Sequence, residues 1–347
     1  MTDLEPLEPE RAVEMYFSAR ESELSEKSVE NQRYRLRSFV EFCEENEIDN
    51  LNDLTGRTLY EFIDWRKEGR GRYDPVSKVT LNGILSTLIV FLKFCGSVDA
   101  VQEGLHNKVL KPDLTRADEV SDAELEAERA SEILAYLEKY KYASRDHVIF
   151  AVLWHTGMRL GSLRALDVED FGWKEGQNND FPAYLELRHR PETGTPLKNG
   201  EGGERTINVG EYYAEVIRDY IKQNRHGVTD QYGRQPLITS THGRLTENPI
   251  RVTSYRLTQP CEFKPCPHDK EPEMCAWRNE RDRASECPSS RSPHAIRTGS
   301  TTYHLNSGTP PEVVSERCDV SREVLEKHYD KRNDREKMNL RGEHLEI

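Results

Sequence analysis

Between Arg145 and Leu166 the chain reads RDHVIFAVLWHTGMRLGSLRAL, and this stretch leaves few choices of fold. The run Val148 to Trp154 is apolar on every side, so a helix there has no solvent face and belongs at the centre of a domain. Gly157 then breaks that helix, because glycine adopts the left-handed turn in which helices end. Arg159 starts the next helix, whose Leu160, Leu163 and Leu166 recur at threes and pack its inner face. A guanidinium is therefore expected beside a glycine turn, pointing into a cleft while its own helix stays anchored. Arginine grips an oxyanion with parallel donors and keeps its charge, so Arg159 is a natural clamp for phosphate.

The first hundred residues also read as helices. From Ser28 onward, NQRYRLRSFVEFCEEN puts Tyr34, Leu36, Phe39, Val40 and Cys43 on an amphipathic stripe. Asp53-Leu54-Thr55 opens a second helix with Leu59, Phe62, Ile63 and Trp65 largely on one side, and a third, Ser77 to Phe94, is apolar enough to be central. A chain of 347 residues suggests two domains, each able to bury its own core. The expected division is a helical domain over 1–105, a linker over 106–124 and a second domain over 125–347. In the linker, LKPDLTRADEVSDAELE combines a proline, a charge run and a helix cap at Ser121.

Farther on, PAYLELRH alternates, passes through the turn-rich PETGTPLKNGEGGE and resumes in RTINV, which predicts a β-hairpin with a long, mobile tip carrying Lys198. The segment 259–292 then gathers four of the seven cysteines, Cys261, Cys266, Cys275 and Cys287, together with His268, in a stretch with almost no apolar residues to bury. In a reducing compartment thiolates favour a metal over disulfides, so one structural zinc on those four cysteines is expected, with His268 able to replace one of them. Immediately afterwards, His294 and Arg297 lie one turn apart at a helix start in SPHAIRTGS and can face the same phosphate, and Tyr329 follows in VLEKHYDKR.

The order Arg159, Lys198, His294-x-x-Arg297, Tyr329 resembles the tyrosine recombinases, the integrase family. TGMRLGSLRALDVEDF is similar to the family's first arginine box and HAIRTGSTTYHLNSG to its second, with Arg297 and Gly308 at the family's separation. The resemblance spans most of the chain. It implies a mainly α fold with a small β-hairpin or sheet (α+β), in which a helical core-binding domain is joined to a catalytic domain, here with a Cys-rich insertion at 259–292. It also implies site-specific breaking and rejoining of double-stranded DNA by a homotetramer. In that chemistry Tyr329 is the nucleophile, Arg159 and Arg297 hold the phosphate, Lys198 protonates the leaving oxygen, with Arg205 and Lys222 as competitors for that role, and His294 exchanges a proton with the tyrosine. Arg33, Arg35, Arg37 and Lys78 of the helical domain would contact DNA phosphates. No catalytic cofactor is implied, because two guanidiniums can do the charge stabilisation that a metal does elsewhere. The chain departs from the family at Asp319, ten residues before Tyr329, where a His or Trp is usual. There, an acidic group is expected either to orient Arg297 or to mark a slip in the alignment. His328, beside the nucleophile, is expected to point elsewhere.

The net charge of −13 speaks against a polyanion partner until its distribution is read. The first 130 residues hold 28 acidic and 17 basic side chains, whereas the remaining 217 hold 34 and 32, so the acidity is mostly N-terminal. Proteins that meet DNA concentrate basic groups on one face, and an acidic total does not exclude that. No targeting segment is expected, the uncharged run Val79 to Leu92 is too short to span a bilayer, and a cytoplasmic location follows. Two other readings stay open: a type IB topoisomerase, and a non-catalytic DNA-binding protein that kept the integrase fold.

Overall fold

Hydroxyl side chains begin three of the first four helices. Ser25 caps α2 (Glu26–Glu45) by accepting from Ser28 N, Thr55 forms a reciprocal capping box with Thr58 at α3 (Gly56–Glu68), and Ser77 caps α4 (Lys78–Ser97). Before them, α1 (Pro9–Ala19) opens with proline at its first turn. The computed structural model describes residues 4–21, 23–115, 118, 123–173, 183–329, 335, 338 and 342, giving 326–328 by backbone alone. It divides into two units, Met1–Ser121 and Asp122–Ile347, each with its own core. The expected cap at Ser121 lies outside the described residues.

In the first unit the core is aromatic. Phe39 and Phe62 meet edge to face at 5.3 Å, Phe42 and Trp65 at 5.8 Å, and Tyr16 packs on Phe91 at 5.7 Å. From α4 come Leu81, Ile84, Leu85, Leu88, Phe91 and Leu92, all buried, each contributing about 1.5–3 kcal/mol by leaving water. At 20 residues, α4 is longer than its uncharged run predicts, and by length and composition it could cross a membrane. Its apolar side chains are instead the packing partners of α1, α2 and α3.

The second unit is built around the helix Arg145–Thr156, in which every residue from His147 to Trp154 is buried. That is the centre its sequence demands. Against it lie the helices Ala127–Tyr140, Gly210–Asp219, Glu247–Leu257 and Pro293–Asn306. An antiparallel sheet β1-β2-β3 (Phe171–Gly172, Tyr184–Leu187, Arg205–Asn208) sets Leu185 opposite Ile207 and Leu187 opposite Arg205. Buried carboxylates fix its surroundings: Asp170 takes a bidentate pair of bonds from Arg190 at 2.9 and 2.6 Å, while Asp167 binds Arg234 and Arg244 at 2.6 and 2.5 Å. The fold is thus mainly helical with small antiparallel sheets.

Two expectations need correction here. The hairpin tip is not a free excursion: Arg190 bridges back to Thr195, Leu197 is 5% exposed and Leu197 N donates to His189 Nδ1 at 2.9 Å. Nor do Cys261, Cys266, Cys275 and Cys287 make the expected zinc site. Among the described residues no group of three or more His, Cys, Asp or Glu could hold a metal, all four cysteines are free thiols, and His268 Nε2 bonds Ser289 Oγ at 2.8 Å. Burial raises the Cys261 thiol above its ordinary pKa, and the neighbouring Cys266 and Cys287 add to the shift. The cross-links are hydrogen bonds instead. Gln259 Nε2 donates to Trp277 O at 2.9 Å and Ala284 O at 3.2 Å, Ser290 Oγ donates to Ala284 O at 2.6 Å, and Arg129 donates to Thr258 O and Ser289 O.

Candidate active site

Three segments of the second unit meet where the buried helix ends. Gly157 takes the left-handed conformation at φ 60°, its N–H donating to Leu153 O at 3.1 Å. Two residues on, Arg159 caps the helix Leu160–Ala165 in an extended conformation, its carbonyl accepting from Ser162 N at 2.9 Å. The helix Pro293–Asn306 starts at the Ser292 cap and carries Arg297 in its second turn. The third segment is the turn Cys318-Asp319, where the helix Pro311–Cys318 stops with Asp319 at φ 54°.

Arg297 binds main chain. It is 3% exposed, and its Nη1 donates to Gly157 O at 2.7 Å and to Cys318 O, while Nη2 donates to Asp319 O at 3.3 Å. Arg159 reaches the same turn from the other side: its Nη1 pairs with Asp319 Oδ2. The expectation that the Asp319 carboxylate orients Arg297 is therefore corrected, since the carboxylate serves Arg159 and only the carbonyl serves Arg297. Both arginines expected as clamps are brought to one two-residue turn.

Two further groups join them: Asn199, which the sequence did not single out, and Arg205, expected only as a competitor of Lys198. Asn199 Nδ2 donates to Asp319 Oδ1 at 2.8 Å, and Arg205 Nη1 stands 3.9 Å from Asp319 Oδ2. Arg205 is held by its own carbonyl contacts, Nε to Arg317 O at 2.9 Å and Nη1 to Gly203 O at 2.8 Å. Burial, opposed by Asp319 but aided by the charges of Arg297 and Arg159, pushes its pKa down to about 10. The available signal was weak: a lone arginine at the head of a strand.

Behind the turn, Arg317 Nη2 donates to His155 Nε2 at 3.0 Å, and His155 stacks on Tyr213 at 3.9 Å. Burial, then the charges of Arg317 and His304, hold the His155 pKa down to about 3, so its ring is the neutral acceptor that this contact requires.

Lys198 is exposed between anchored Leu197 and the Asp319-bound Asn199, on the segment that reaches the site. His294 is exposed in the first turn of the Arg297 helix. Tyr329 caps the helix Arg322–His328 and is 5% exposed, packed with Leu305, Val314, Cys318, Val320 and Leu325. It shares that cluster with the residue next to Asp319. The side chain of His328 lies outside the described residues. In the first unit, Arg33 lies over the Phe17 ring at 4.3 Å, Arg35 Nη1 donates to Thr87 Oγ1 at 3.2 Å, Arg37 pairs with Glu41 at 3.3 Å, and Lys78 is exposed at the start of α4.

Residues 15–96 match the phage integrase N-terminal SAM-like domain. Over 31% of this chain and 99% of its own length, the N-terminal domain of a phage integrase/site-specific recombinase from Haloarcula marismortui is 35% identical, with a TM-score of 0.29. Across the full length, the Tn1549 transposon integrase in complex with transposon right end DNA is 15% identical, with 98% of this chain and 100% of that one covered and a TM-score of 0.65. A lambda integrase dimer bound to a COC′ core site is 14% identical over 95% of this chain and 97% of that one, with a TM-score of 0.61. No curated protein sequence matches the chain.

Proposed function

This chain belongs to the phage integrase family of tyrosine recombinases, and from that membership we propose that it cuts and rejoins double-stranded DNA through a 3′-phosphotyrosyl intermediate on Tyr329. The observation that supports this reading most is the convergence of Arg159 and Arg297 on the Cys318-Asp319 turn, one through a carboxylate and the other through carbonyls. Guanidiniums arranged before substrate arrives need no reorganisation as charge develops on a phosphoryl group, and that is the largest contribution most such sites make.

In the proposed step Tyr329 Oη attacks phosphorus in line with the 5′-oxygen. The Oη–P bond forms and the P–O5′ bond breaks. His294 takes the phenolic proton, Lys198 protonates the departing 5′-oxygen, and Arg159 and Arg297 neutralise the non-bridging oxygens. Because the phosphotyrosyl ester keeps the energy of the broken bond, resealing is the same step reversed with a partner strand's 5′-hydroxyl. No ATP or other cofactor enters it. Joining two sites requires four nucleophiles, hence a homotetramer on DNA, and the cytoplasm is where phage, plasmid or chromosomal DNA would be met. Residues 1–105 would serve as the core-binding domain and 125–347 as the catalytic domain, with Arg33, Arg35, Arg37 and Lys78 as phosphate contacts.

A second reading, a DNA-binding protein without cleavage, is favoured by the occupation of Arg159 by Asp319 and by the 5% exposure of Tyr329. A nicked suicide duplex separates the two. The wild-type chain should become covalently attached to it, and Tyr329→Phe should bind equally well yet yield no adduct. Absence of adduct with the wild type would decide for the second reading, while adduct formation by Tyr329→Phe would move the nucleophile elsewhere.

A further inference from the structure

The carboxylate of Asp319 stands among cationic and amide donors that have little other reason to meet. Its Oδ2 pairs with Arg159 Nη1 and lies 3.9 Å from Arg205 Nη1, and its Oδ1 accepts from Asn199 Nδ2 at 2.8 Å. These partners come from two separate parts of the chain: a helix start gives Arg159, and one hairpin gives Asn199 at its tip and Arg205 at the head of its returning strand. One negative charge thus faces Arg159 and Arg205, with Arg297 bound to the same turn. Arg205 in particular is under-served. Two of its nitrogens are fixed to carbonyls, but Nη2 is buried with no hydrogen-bond partner among the described residues. A buried charged donor left unpaired costs more than a hydrogen bond returns, so it marks a place where an acceptor belongs.

A phosphodiester is the acceptor that fits. A carboxylate offers two coplanar oxygens, whereas a phosphodiester carries the same charge on a tetrahedral centre and can reach donors outside one plane. We propose that Asp319 is a resident surrogate for the scissile phosphate, filling an anion site formed by Arg159, Arg205 and Asn199 until DNA phosphate displaces it and engages Arg205 as a third guanidinium. Arg205 then becomes a catalytic residue, and Asp319 sets which anions enter. Displacement requires only a side-chain rotation. The Asp319 carbonyl holds Arg297, and its N–H donates to Glu316 O at 3.3 Å, so the main chain keeps the Arg297 seat while the carboxylate swings away. The left-handed backbone at φ 54° is one that Asp and Asn tolerate better than other side chains.

The assignment of the displacing anion as a scissile phosphate rests on the proposed recombinase chemistry, but the anion site can be tested without it. Inorganic phosphate is the probe, titrated calorimetrically into the full chain. Asp319→Asn removes the charge, preserves the shape and suits the left-handed turn, and it should bind phosphate at least tenfold more tightly than wild type. Arg205→Gln added to that variant should abolish the gain. Asp319→Gly, also at ease at this φ, repeats the measurement if the amide disturbs the turn, with folding of each variant checked by its melting transition.

Several results would overturn the proposal. If Asp319→Asn and Asp319→Gly bind phosphate no better than wild type, Asp319 is a permanent orienting partner of Arg159 and no surrogate. Should Glu201→Gln, which removes an equal charge from an exposed position on the same hairpin, raise affinity as much, the effect is general electrostatics and the site is not specific. An unchanged affinity on adding Arg205→Gln removes Arg205 from the site. Repeating the titration in a Tyr329→Phe background separates this from the recombinase reading: a phosphate gain that survives while wild type forms no DNA adduct sinks recombination and leaves the anion site standing.

Discussion

Substituting Gly157 tests how the two clamps are held in register. Gly157 ends the buried helix at φ 60°, and a Cβ built there would lie 2.7 Å from Cys318 Sγ, 3.3 Å from Ser300 Oγ and 3.6 Å from Thr301 Oγ1. All three neighbours are fully buried, so none can yield into solvent. In Gly157→Ala the left-handed backbone costs about 1–2 kcal/mol and the overpacking about 1–3 kcal/mol, or about 2–5 kcal/mol together. For a unit the size of Asp122–Ile347, at about 2–4 °C per kcal/mol, the melting temperature should fall by about 4–20 °C. Scanning calorimetry reads this directly. Because Gly157 O also accepts from Arg297, adduct formation measured well below the new midpoint should fall at least tenfold. A double variant with Cys318→Ala should recover the steric share but keep the backbone share, the difference being the coupling between the two positions. A melting temperature within about 1 °C of wild type, with undiminished cleavage, would refute the view that this glycine seats the site.

Two other outcomes follow from the packing. In Gly299→Ala the new Cβ would fall 1.9 Å from the main-chain Leu125 O, so the helix carrying His294 and Arg297 should separate from that segment, and soluble folded protein should be lost; a normal melt would contradict this. Burial holds His147 down to about 4, and burial with the Arg317 and His304 charges holds His155 down to about 3. Both rings are neutral in the fold and take up protons on unfolding, so the stability they contribute is complete above about 6.5 and is lost as pH falls through the window down to about 3. Urea midpoints at pH 7 and pH 4.5 should differ less in His147→Gln and His155→Gln than in wild type, and an unchanged difference would count against this account.

What could be read beforehand were features with a period or a punctuation mark. The apolar run Val148 to Trp154 and its stop at Gly157 are a burial signal followed by a chain-reversal signal, and the structure follows both. Strand alternation likewise located β2 and β3. Contacts between residues far apart have no such mark. Asn199 meets Asp319 across 120 positions, and nothing in PLKNGEGGE announces that its tip folds back. Arg205 stood only as a competitor of Lys198, because its guanidinium acquires its place only beside Arg159 and Arg297. In the insertion, cysteine count drew attention to a metal, but the ties run from Gln259, Ser290 and Arg129 to carbonyls, a kind of bond that leaves no spacing pattern. Counting back from Tyr329 did arrive at a residue of the site. The arginine its carboxylate serves could only be seen in space.

Arginine bonds to main-chain carbonyls recur throughout the second unit: Arg297 to Gly157, Arg205 to Gly203 and Arg317, Arg291 to Glu124, Arg244 to Arg164. Such bonds respond to ionic strength differently from pairs of opposite charges. Dissolved ions screen charges over about 8 Å at physiological concentration and about 3 Å at molar concentration, which weakens an exposed pair such as Arg283 and Glu286 but reaches poorly into a buried charge–dipole contact. The attraction between a protein and DNA phosphates, by contrast, falls steeply as electrolyte is added. Under the proposed function, grip on DNA and rigidity of the site would therefore be separate variables, and added electrolyte should release the duplex from a frame that stays intact.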